Sequence, residues 1–546
     1  MPKSKDTRNQ TVKAKGKPAA TQMDSYFKLP NQGLRSYFGN VVKGQSEVYD
    51  TPFAKGESTK DLISAWNETL VSINDKWPSL YEFEMDMAGK VGPLSVMLPL
   101  EERMGDIEAY YKGIHLPSQP LDIKAVKAVI AEWGGASTLR IRSQEATLEK
   151  MKKSTNSGSP YFTKKRNVID ATMPYQVKAT KHIVYQRLPG FAGQACAVLG
   201  WRGQEGGYSK DDVKQRVVWM FPFAVNIDEL RVYQPGIEYA QKRGLVPAWI
   251  GNQEVDRVMT RLFDTKGDND LVVATDFTKF DQHFNSSLQN VAKAIISTRF
   301  NYDSAMSSWL EYTFPIKYMI PMCYDWGKFK FGAHGMGSGS GGTNFDETLA
   351  HRALQYEAAI AQGARLNPNS QCLGDDGVLT YPGITVEDVV QSYTSHGLEM
   401  NDQKQYASTH DTVYLRRWHS KDYRQDGICV GVYSTMRALG RMRYLERFMN
   451  PEVWDAEAVE LRWYSILNNL EYHPLREQFV QFCMKRDKYR LGLDIPHFLD
   501  NLAKITQEKI DLMPDFLGWR ASVSKSPANQ YGIADWWIVK YLKSLR

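Results

Sequence analysis

The stretch "LVVATDFTKFDQHFN", residues 271–285, indicates the fold most directly. Its apolar run, residues 271–274, follows the polar sequence "GDND" and predicts a short buried strand. Asp276 stands at the end of this strand, and Asp281 follows five residues later. A carboxylate in that position must meet a cation, a hydrogen-bond donor or water, because leaving it unpaired is costly. Taken alone, the pattern also fits a strand-end aspartate that caps a helix.

A second acidic element, "QCLGDDGVLTY", occupies residues 371–381. Within it, two short strand-like runs flank the sequence Gly-Asp-Asp-Gly. The pair Asp376-Gly377 predicts a tight hairpin turn that carries Asp375 and Asp376 to its tip. Adjacent acids repel each other unless a divalent cation lies between them and a partner, and Mg²⁺ prefers such oxygen ligands. If the strand before Asp276 lies beside this hairpin, Asp276 and Asp375 can hold two ions. A solvated turn is the alternative.

A glycine-rich loop, "HGMGSGSGGT" at residues 334–343, lies between the two acidic elements. Residues 344–361 then predict a helix with apolar contacts. Such a loop lets backbone N–H groups approach a sugar–phosphate chain closely. The loop also matches the dinucleotide-binding pattern GxGxxG formally, and a flexible linker is a further alternative. A Walker A loop is excluded, because no Gly-Lys-Ser/Thr follows. We expect a loop that follows a nucleic-acid strand and places three polar residues near a sugar, namely Ser338, Thr343 and Asn344.

Composition sets broad limits on the class of protein. With 546 residues, 42% of them hydrophobic, the chain is too long for one compact core and too apolar to be wholly disordered. No run approaches the roughly 18–20 apolar residues that a membrane span needs. The five cysteines form no CxxC pair, which argues against a zinc cluster or disulfide scaffold and favours a reducing compartment.

The net charge of +6 conceals a strong segregation of charge. Residues 1–20 hold six bases and one acid and predict a disordered basic tail, which either aids solubility or contacts RNA or a capsid. Residues 150–187 hold nine bases and one acid, with tyrosines interleaved, and residues 416–447 hold eight bases and three acids. Two such basic walls could bind a polyanion, although an ordinary solvated face is the alternative for the first. Its candidate RNA-binding bases are Lys164, Lys165 and Arg166.

The order and spacing of the two acidic elements and the loop resemble motifs A, B and C of viral RNA-dependent RNA polymerases. The sequence is most similar to picobirnavirus polymerases, with partitivirus polymerases as the nearest relatives. Each motif alone is a weak signal, and the ordered triple is a strong one. The matching residues are Asp276 and Asp281 in motif A, Ser338, Gly339 and Thr343 in motif B, and Gly374, Asp375 and Asp376 in motif C.

Flanking elements extend the resemblance over about residues 150–430 with less specificity. For Lys404 in motif D, a lysine on the helix surface is an equally good interpretation. For Arg416 and Arg417 in motif E, a simple ion pair is an equally good interpretation. The residues implied are Ser157, Gly158 and Pro160 in motif G beside the template, Lys214 and Arg216 in motif F over the triphosphate, Lys404 in motif D, and Arg416 and Arg417 in motif E.

The resemblance implies an α/β (α+β) right-hand fold with fingers, an antiparallel palm sheet and a helical thumb. Asp276 and Asp375 would hold two Mg²⁺ ions, or Mn²⁺ in their place, with Asp376 as a weaker ligand. Lys404 would protonate the leaving group. Asp281 would contact the ribose together with the loop residues. Many relatives carry an asparagine at the position of Glu347, so Asn344 is expected to substitute for it in ribose recognition.

The implied function is primer-independent transcription and replication of the genome of a double-stranded RNA virus. RNA template, RNA product and NTPs are the expected partners, with capsid protein as a further candidate. We expect a monomer without membrane attachment. Its expected location is the interior of the virion or the host cytoplasm. A reverse transcriptase and a non-catalytic RNA-binding or capsid-associated protein are the alternatives. The predicted division is a tail at 1–20, an N-terminal extension at 21–85, fingers at 86–230, a palm at 231–430 with a fingers segment near 286–330, and a thumb with the C-terminal region at 431–546.

Overall fold

The computed structural model of the chain describes residues 19–134, 137–509 and 532–546. The predicted disordered tail lies outside these residues except for Ala19 and Ala20, which begin the first helix. Within the described part, no helix is long and apolar enough to cross a membrane.

Helices dominate both ends of the chain, and several begin at a serine, threonine, aspartate or asparagine whose side chain accepts a backbone N–H of the first turn. The helices are α1 Ala19–Asp24, α2 Gln32–Lys43, α3 Thr59–Leu70, α4 Pro78–Ala88, α5 Leu100–Lys112, α6 Ile123–Glu132, α7 Gln144–Glu149, α8 Ile169–Thr172, α9 Phe223–Arg243, α10 Pro247–Ile250, α11 Asn252–Thr265, α12 Phe280–His283, α13 Ser286–Arg299, α14 Ser304–Tyr312, α15 Thr343–Ala361, α16 Val386–Thr394, α17 Thr435–Arg443, α18 Ala456–Leu467, α19 Arg476–Met484, α20 Leu502–Lys509 and α21 Trp537–Ser544.

The strands form small sheets in the middle of the chain. They are β1 Gln176–Thr180, β2 Ile183–Leu188, β3 Phe191–Gln194, β4 Ala197–Gln204, β5 Lys214–Met220, β6 Val272–Thr275, β7 Met322–Asp325, β8 Lys328–Lys330, β9 Gln371–Leu373, β10 Asp376–Leu379, β11 Tyr406–Ser408, β12 Asp411–Tyr414, β13 Arg417–Ser420 and β14 Val432–Tyr433. Their orders are β1-β2-β3, β5-β4-β7-β8, β11-β6-β10-β9 and β12-β13-β14.

The sheet β11-β6-β10-β9 carries both acidic elements and is antiparallel throughout, as predicted for a palm. In its centre, Thr275 of β6 pairs with Gly377 of β10, so the acids that follow and precede these residues meet at one edge. Helix α15 packs behind this sheet together with α6 and α13, and its apolar residues share one core with theirs. The core therefore fixes the edge on which the acids gather.

The C-terminal helices share a single apolar core with two N-terminal helices. Trp66 of α3 and Phe83 of α4 are buried with Leu439, Trp463 and Phe479 of the C-terminal region. A buried polar contact reinforces the union, because Trp66 Nε1 donates to Thr435 Oγ1 at 2.8 Å. The N-terminal segment is thus part of the C-terminal helical body, in which the predicted helical character is confirmed for the described residues.

Candidate active site

The turn between β9 and β10 differs by one step from the prediction. Asp376 pairs with Leu373 as the first residue of β10, so the turn consists of Gly374 and Asp375 rather than of Asp376 and Gly377. Gly374 has φ of +58°, a conformation that costs glycine little. Gly377 is needed for another reason, since a Cβ there would lie 2.5 Å from Cε1 of His351. Asp375 alone occupies the exposed tip.

Helix α15 supports this turn from below. Gly374 N donates to Thr348 Oγ1 at 2.9 Å, and His351 Nδ1 donates to Gly374 O at 2.8 Å. Burial lowers the pKa of His351 to about 4, so the ring is neutral and holds its proton on Nδ1. The helix that follows the glycine-rich loop therefore fixes the position of the two acids.

The acids lie at different depths in the structure. Asp276 is exposed at the end of β6, whereas Asp376 is half-buried and accepts the N–H of Leu415 at 2.9 Å. Burial and the adjacent Asp375 carboxylate raise the pKa of Asp376 to about 7. Desolvation and the Asp281 carboxylate raise the pKa of Asp375, and Arg216 opposes the rise. The site thus carries more negative charge than its own bases neutralise.

This excess charge fits divalent cations. Among the described residues, no cluster of three or more histidine, cysteine, aspartate or glutamate side chains forms a closed metal site. Mg²⁺ bound at phosphoryl-transfer sites needs only one or two carboxylates, since substrate phosphates and water complete its shell. An edge with three carboxylates, two of them with raised pKa, suits ions that arrive with a triphosphate.

The glycine-rich loop lies between the motif A and motif F elements. Met336 N donates to the Asp281 carbonyl at 2.8 Å, and Trp219 N of β5 donates to Ser338 Oγ at 3.4 Å. A Cβ on Gly339 would lie 1.6 Å from the Trp219 carbonyl, so only glycine fits there. Thr343 Oγ1 faces the loop carbonyls of Gly337 and Ser340, each at 3.2 Å.

The far end of the loop approaches the turn of Gly374 and Asp375. Asn344 is exposed, accepts Trp249 Nε1 at 2.7 Å, and has its Nδ2 3.6 Å from the Cβ position of Gly374. Arg216 and Lys214 are both exposed and lie two residues apart on β5, so they face the same side of that strand. The structure therefore brings the residues predicted for motifs A, B and C together and places Arg216 of motif F close enough to affect Asp375.

Glu347, which stands where many relatives carry asparagine, lies in surroundings that suit an uncharged side chain. The side chain is only 4% exposed, and within the described part of the chain its Oε1 has no hydrogen-bond partner. Burial and the neighbouring Asp281 carboxylate raise its pKa well above the ordinary value. Its protonated form is therefore favoured beside Asp281, and a protonated carboxyl can donate a hydrogen bond, as an amide does.

Several predicted RNA-binding residues are turned away from solvent. Ser157, Gly158 and Pro160 are buried, and the Ser157 hydroxyl accepts the Thr163 N–H at 3.1 Å, so these residues shape the loop from within. Lys165 is 8% exposed and donates to Thr155 Oγ1 at 2.8 Å, and burial lowers its pKa to about 8. These side chains therefore offer little surface to a phosphate, and their contact with RNA stays a prediction. Lys164 and Arg166, on either side, are exposed.

The motif E arginines also divide. Arg417 is 8% exposed and forms a bidentate pair with Asp256 at 2.9 and 3.1 Å, so the ion-pair alternative describes it. Arg416 is half-buried, has φ of +59° in the turn before β13, and lies 3.5 Å from Glu205 Oε1. Arg437 of α17 also lies 3.0 Å from Glu205. Two arginines therefore face one glutamate, and the group of these three side chains carries excess positive charge.

Lys404 is exposed in a short 3₁₀ turn, and its neighbour Gln405 makes the contact with the site. Gln405 Oε1 accepts the Asp276 N–H at 2.7 Å, and its Nε2 donates to the Asp276 carbonyl at 2.9 Å. The sequence carries no signal for this clamp, because it depends on β11 pairing beside β6.

We expect Gln405→Ala to lower kcat about tenfold by freeing the backbone that orients Asp276, since small misplacements of reacting groups are costly. Gln403→Ala, on the same turn but exposed, is the matched control and should leave kcat unchanged. Single-nucleotide incorporation measures both. Equal kcat values in the two variants would contradict the role of Gln405.

Carboxylates gathered at a sheet edge, with arginine and lysine on a strand nearby, can hold a triphosphate against a nucleic-acid 3′ end. That arrangement, on an antiparallel sheet backed by a helix, defines the palm of a right-hand nucleic-acid polymerase.

Comparisons with known proteins identify the family. A model of the viral RNA-dependent RNA polymerase family matches residues 139–468. The chain is 58% identical to the potential RNA-dependent RNA polymerase of a human picobirnavirus (strain Human/Thailand/Hy005102/-), covering 95% of this chain and 98% of that one. Crystal structures of the RNA-dependent RNA polymerase of a human picobirnavirus and of its insertion loop deletion mutant are 56% identical, with TM-scores of 0.92 and 0.91, covering 97% of this chain and 100% of theirs.

The chain belongs to the viral RNA-dependent RNA polymerase family and has its right-hand fold. This membership favours an RNA-directed RNA polymerase over both alternatives, a reverse transcriptase and a non-catalytic RNA-binding or capsid-associated protein. It also implies that RNA and NTPs are ligands and that divalent metal ions take part.

Proposed function

We propose that this chain copies RNA templates by two-metal phosphoryl transfer and begins without a primer, as the transcriptase and replicase of a double-stranded RNA virus. The observation that carries the chemistry is the edge of the β6–β10 pair, where Asp276, Asp375 and Asp376 meet with raised pKa values at the latter two. Such a charge excess favours cations that accompany a triphosphate.

Asp276 and Asp375 would hold the ions, with Asp376 in support through its bond to Leu415. Mg²⁺ is the proposed metal, with Mn²⁺ able to replace it; when bound, the ions would lower the pKa of the RNA 3′-OH and neutralise charge on the leaving pyrophosphate. Arg216 and Lys214 would bind the triphosphate from β5. Lys404 would donate the proton to pyrophosphate from its exposed turn.

Incorporation of labelled NTPs by the purified protein tests this proposal. The assay compares NTPs with dNTPs, Mg²⁺ with Mn²⁺ and EDTA, and a primed with an unprimed RNA template. We expect metal-dependent NTP incorporation on both templates. Synthesis only from the primed template would contradict primer independence, and preferential use of dNTPs would contradict the substrate class.

Ribose selection is proposed to depend on Asp281, with the Ser338, Thr343 and Asn344 side chains near the sugar. Asp281→Ala should reduce discrimination between NTP and dNTP about tenfold, because one hydrogen bond to the 2′-OH is lost. Competitive incorporation of ATP and dATP measures the ratio. Glu347→Gln is the control, since glutamine keeps the shape of this buried side chain and a group that can donate a hydrogen bond, and it should leave the ratio unchanged. An unaltered ratio in Asp281→Ala would contradict this role.

We also propose the remaining assignments implied by the resemblance. Residues 21–85 form an N-terminal extension, 86–230 the fingers with a segment near 286–330, 231–430 the palm, and 431–546 the thumb and C-terminal region. The polymerase acts as a monomer, inside the virion or in the host cytoplasm, with capsid protein as a partner. Light scattering of the purified chain and co-purification with capsid protein test these points.

A further inference from the structure

Three charged residues lie beneath the glycine-rich loop, and the side chain of each is fully buried. They are Glu229 of α9, Lys317 of the 3₁₀ turn Phe314–Tyr318, and Asp346 in the first turn of α15. Lys317 Nζ lies 3.0 Å from Asp346 Oδ2. None of the three reaches the acids of the catalytic edge, and none has a part in the proposed chemistry.

Aromatic side chains complete the surroundings of this buried cluster. Asp346 accepts the hydroxyl of Tyr233 at 2.9 Å and that of Tyr318 at 2.6 Å. The Lys317 ammonium lies 3.6 Å from the centroid of the Phe314 ring and donates to the Phe314 carbonyl at 2.7 Å. The cluster is therefore closed off from solvent and held by several contacts, which leaves the Glu229 carboxylate as its remaining acceptor.

That remaining acceptor is taken up by the loop itself. The Glu229 carboxylate accepts the Ser340 hydroxyl, and its Oε1 accepts the Gly341 N–H at 3.2 Å. The same cluster holds the start of the loop, because Gly337 N donates to the Lys317 carbonyl at 3.0 Å. A loop rich in glycine has little conformational preference of its own, so these contacts determine where it lies.

The position of the loop matters because its other face contacts the elements that bind substrate. Its start is bonded to the Asp281 carbonyl through Met336 N, its middle lies against the Trp219 carbonyl of β5, and its end leads to Asn344 beside Gly374. A displacement of the loop would therefore change its distance from motifs A, F and C together.

Stability does not account for a cluster of this kind. Only one ammonium lies near two buried carboxylates and pairs directly with Asp346, and burial raises the pKa of Glu229 to about 7 despite the opposing effect of Lys317. Buried ion groups are often no more stable than apolar residues of the same shape. Removing Glu229 leaves Lys317 and Asp346 as a balanced pair, so the fold should tolerate its loss.

We propose that Glu229 is a positioning residue for nucleotide binding, which acts by holding Ser340 and Gly341 so that the loop presents its outer face to the incoming NTP. The inference rests on the proposed polymerase function. It assigns a role in substrate affinity to a side chain that contacts neither substrate nor metal.

Steady-state incorporation by Glu229→Ala, Glu229→Gln and Ser340→Ala variants of the full chain tests this role. We expect Glu229→Ala to raise the KM for NTP about tenfold with kcat changed by no more than about threefold, as for a lost hydrogen bond to a charged group. Glu229→Gln keeps an acceptor oxygen of the same shape and should return KM to within about twofold of wild type. Ser340→Ala should raise the KM for NTP with little change in kcat. The KM of the double variant with Glu229→Ala should be no higher than that of either single variant.

Glu460→Ala is the matched control for structural damage, because Glu460 is also fully buried but lies in α18. Its thermal midpoint should change while the KM for NTP stays at the wild-type value. An unaltered KM in Glu229→Ala, a KM that follows the thermal midpoint, or additive effects of the Glu229 and Ser340 changes would overturn the inference. An inactive wild-type protein would overturn the proposed function first, so the two failures are distinguishable.

Discussion

Replacing both Asp375 and Asp376 with asparagine should abolish nucleotide incorporation. Without these carboxylates the site loses the charge that would hold two divalent ions, and with it several kcal/mol of transition-state stabilisation, which corresponds to at least about a thousandfold in rate. Asparagine keeps the shape of both side chains, and its oxygen at position 376 can still accept the Leu415 N–H. Incorporation of labelled NTP on an RNA template measures the loss.

The folded structure should not suffer from this double change. Burial and the adjacent acids raise the pKa values of both groups, which means that their ionised forms destabilise the protein without bound metal. The thermal midpoint in EDTA should therefore stay the same or rise. Asp402→Asn, an exposed acid on the nearby 3₁₀ turn, is the control and should retain full activity. Measurable RNA synthesis by the double variant would refute the assignment of these acids.

The parts of this fold that the sequence predicted are those in which local pattern and tertiary contact agree. The helix predicted at residues 344–361 is α15, which begins at Thr343, and the strand before Asp276 is β6. The hairpin turn was misplaced because Asp-Gly is a strong local signal, whereas the pairing of Asp376 with Leu373 decides the register. Local preference could not show that Gly377 lies against the His351 ring instead.

Contacts between distant segments account for what the sequence could not predict. Gln405 binds the Asp276 backbone only because β11 pairs with β6, and Glu229 meets Ser340 across 111 positions of the chain. One signal was available: Lys317 stands alone in the apolar stretch "FPIKYMIP", where a charged residue needs a buried partner. Following that signal would have pointed to an acid beneath the loop.

Charge counting could not show which of two neighbouring bases is exposed. Arg416 and Arg417 were predicted together, yet Arg416 lies in a turn near the surface and Arg417 begins β13 with its side chain buried. Lys164 and Lys165 divide in the same manner. A cluster of bases in the sequence therefore sets an upper limit on an RNA-binding wall, and burial decides which members belong to it.

Arg417→Ala should lower the stability of the protein by about 3–5 kcal/mol, because it leaves the buried Asp256 carboxylate without its partner. Both terminal nitrogens of the Arg417 guanidinium donate to Asp256, and Nη2 also donates to the Gly431 carbonyl at 3.2 Å. His419 lies 3.7 Å from the same carboxylate, but burial lowers its pKa to about 4, so it is neutral at pH 7 and cannot replace the lost charge. Thermal and urea denaturation measure the change.

Arg424→Ala supplies the comparison that separates stability from RNA binding. Arg424 pairs with Asp264 at 2.7 Å, but 51% of the Asp264 side chain is exposed, and such a pair contributes only about 0–1 kcal/mol. If Arg417 instead contacted RNA, its loss would weaken RNA affinity and reduce the salt dependence of binding while leaving the unfolding midpoint near that of Arg424→Ala. We expect the reverse: a large fall in midpoint for Arg417→Ala alone, and unaltered RNA affinity below that midpoint, since the guanidinium is buried and held by Asp256 and Gly431 rather than presented to a phosphate.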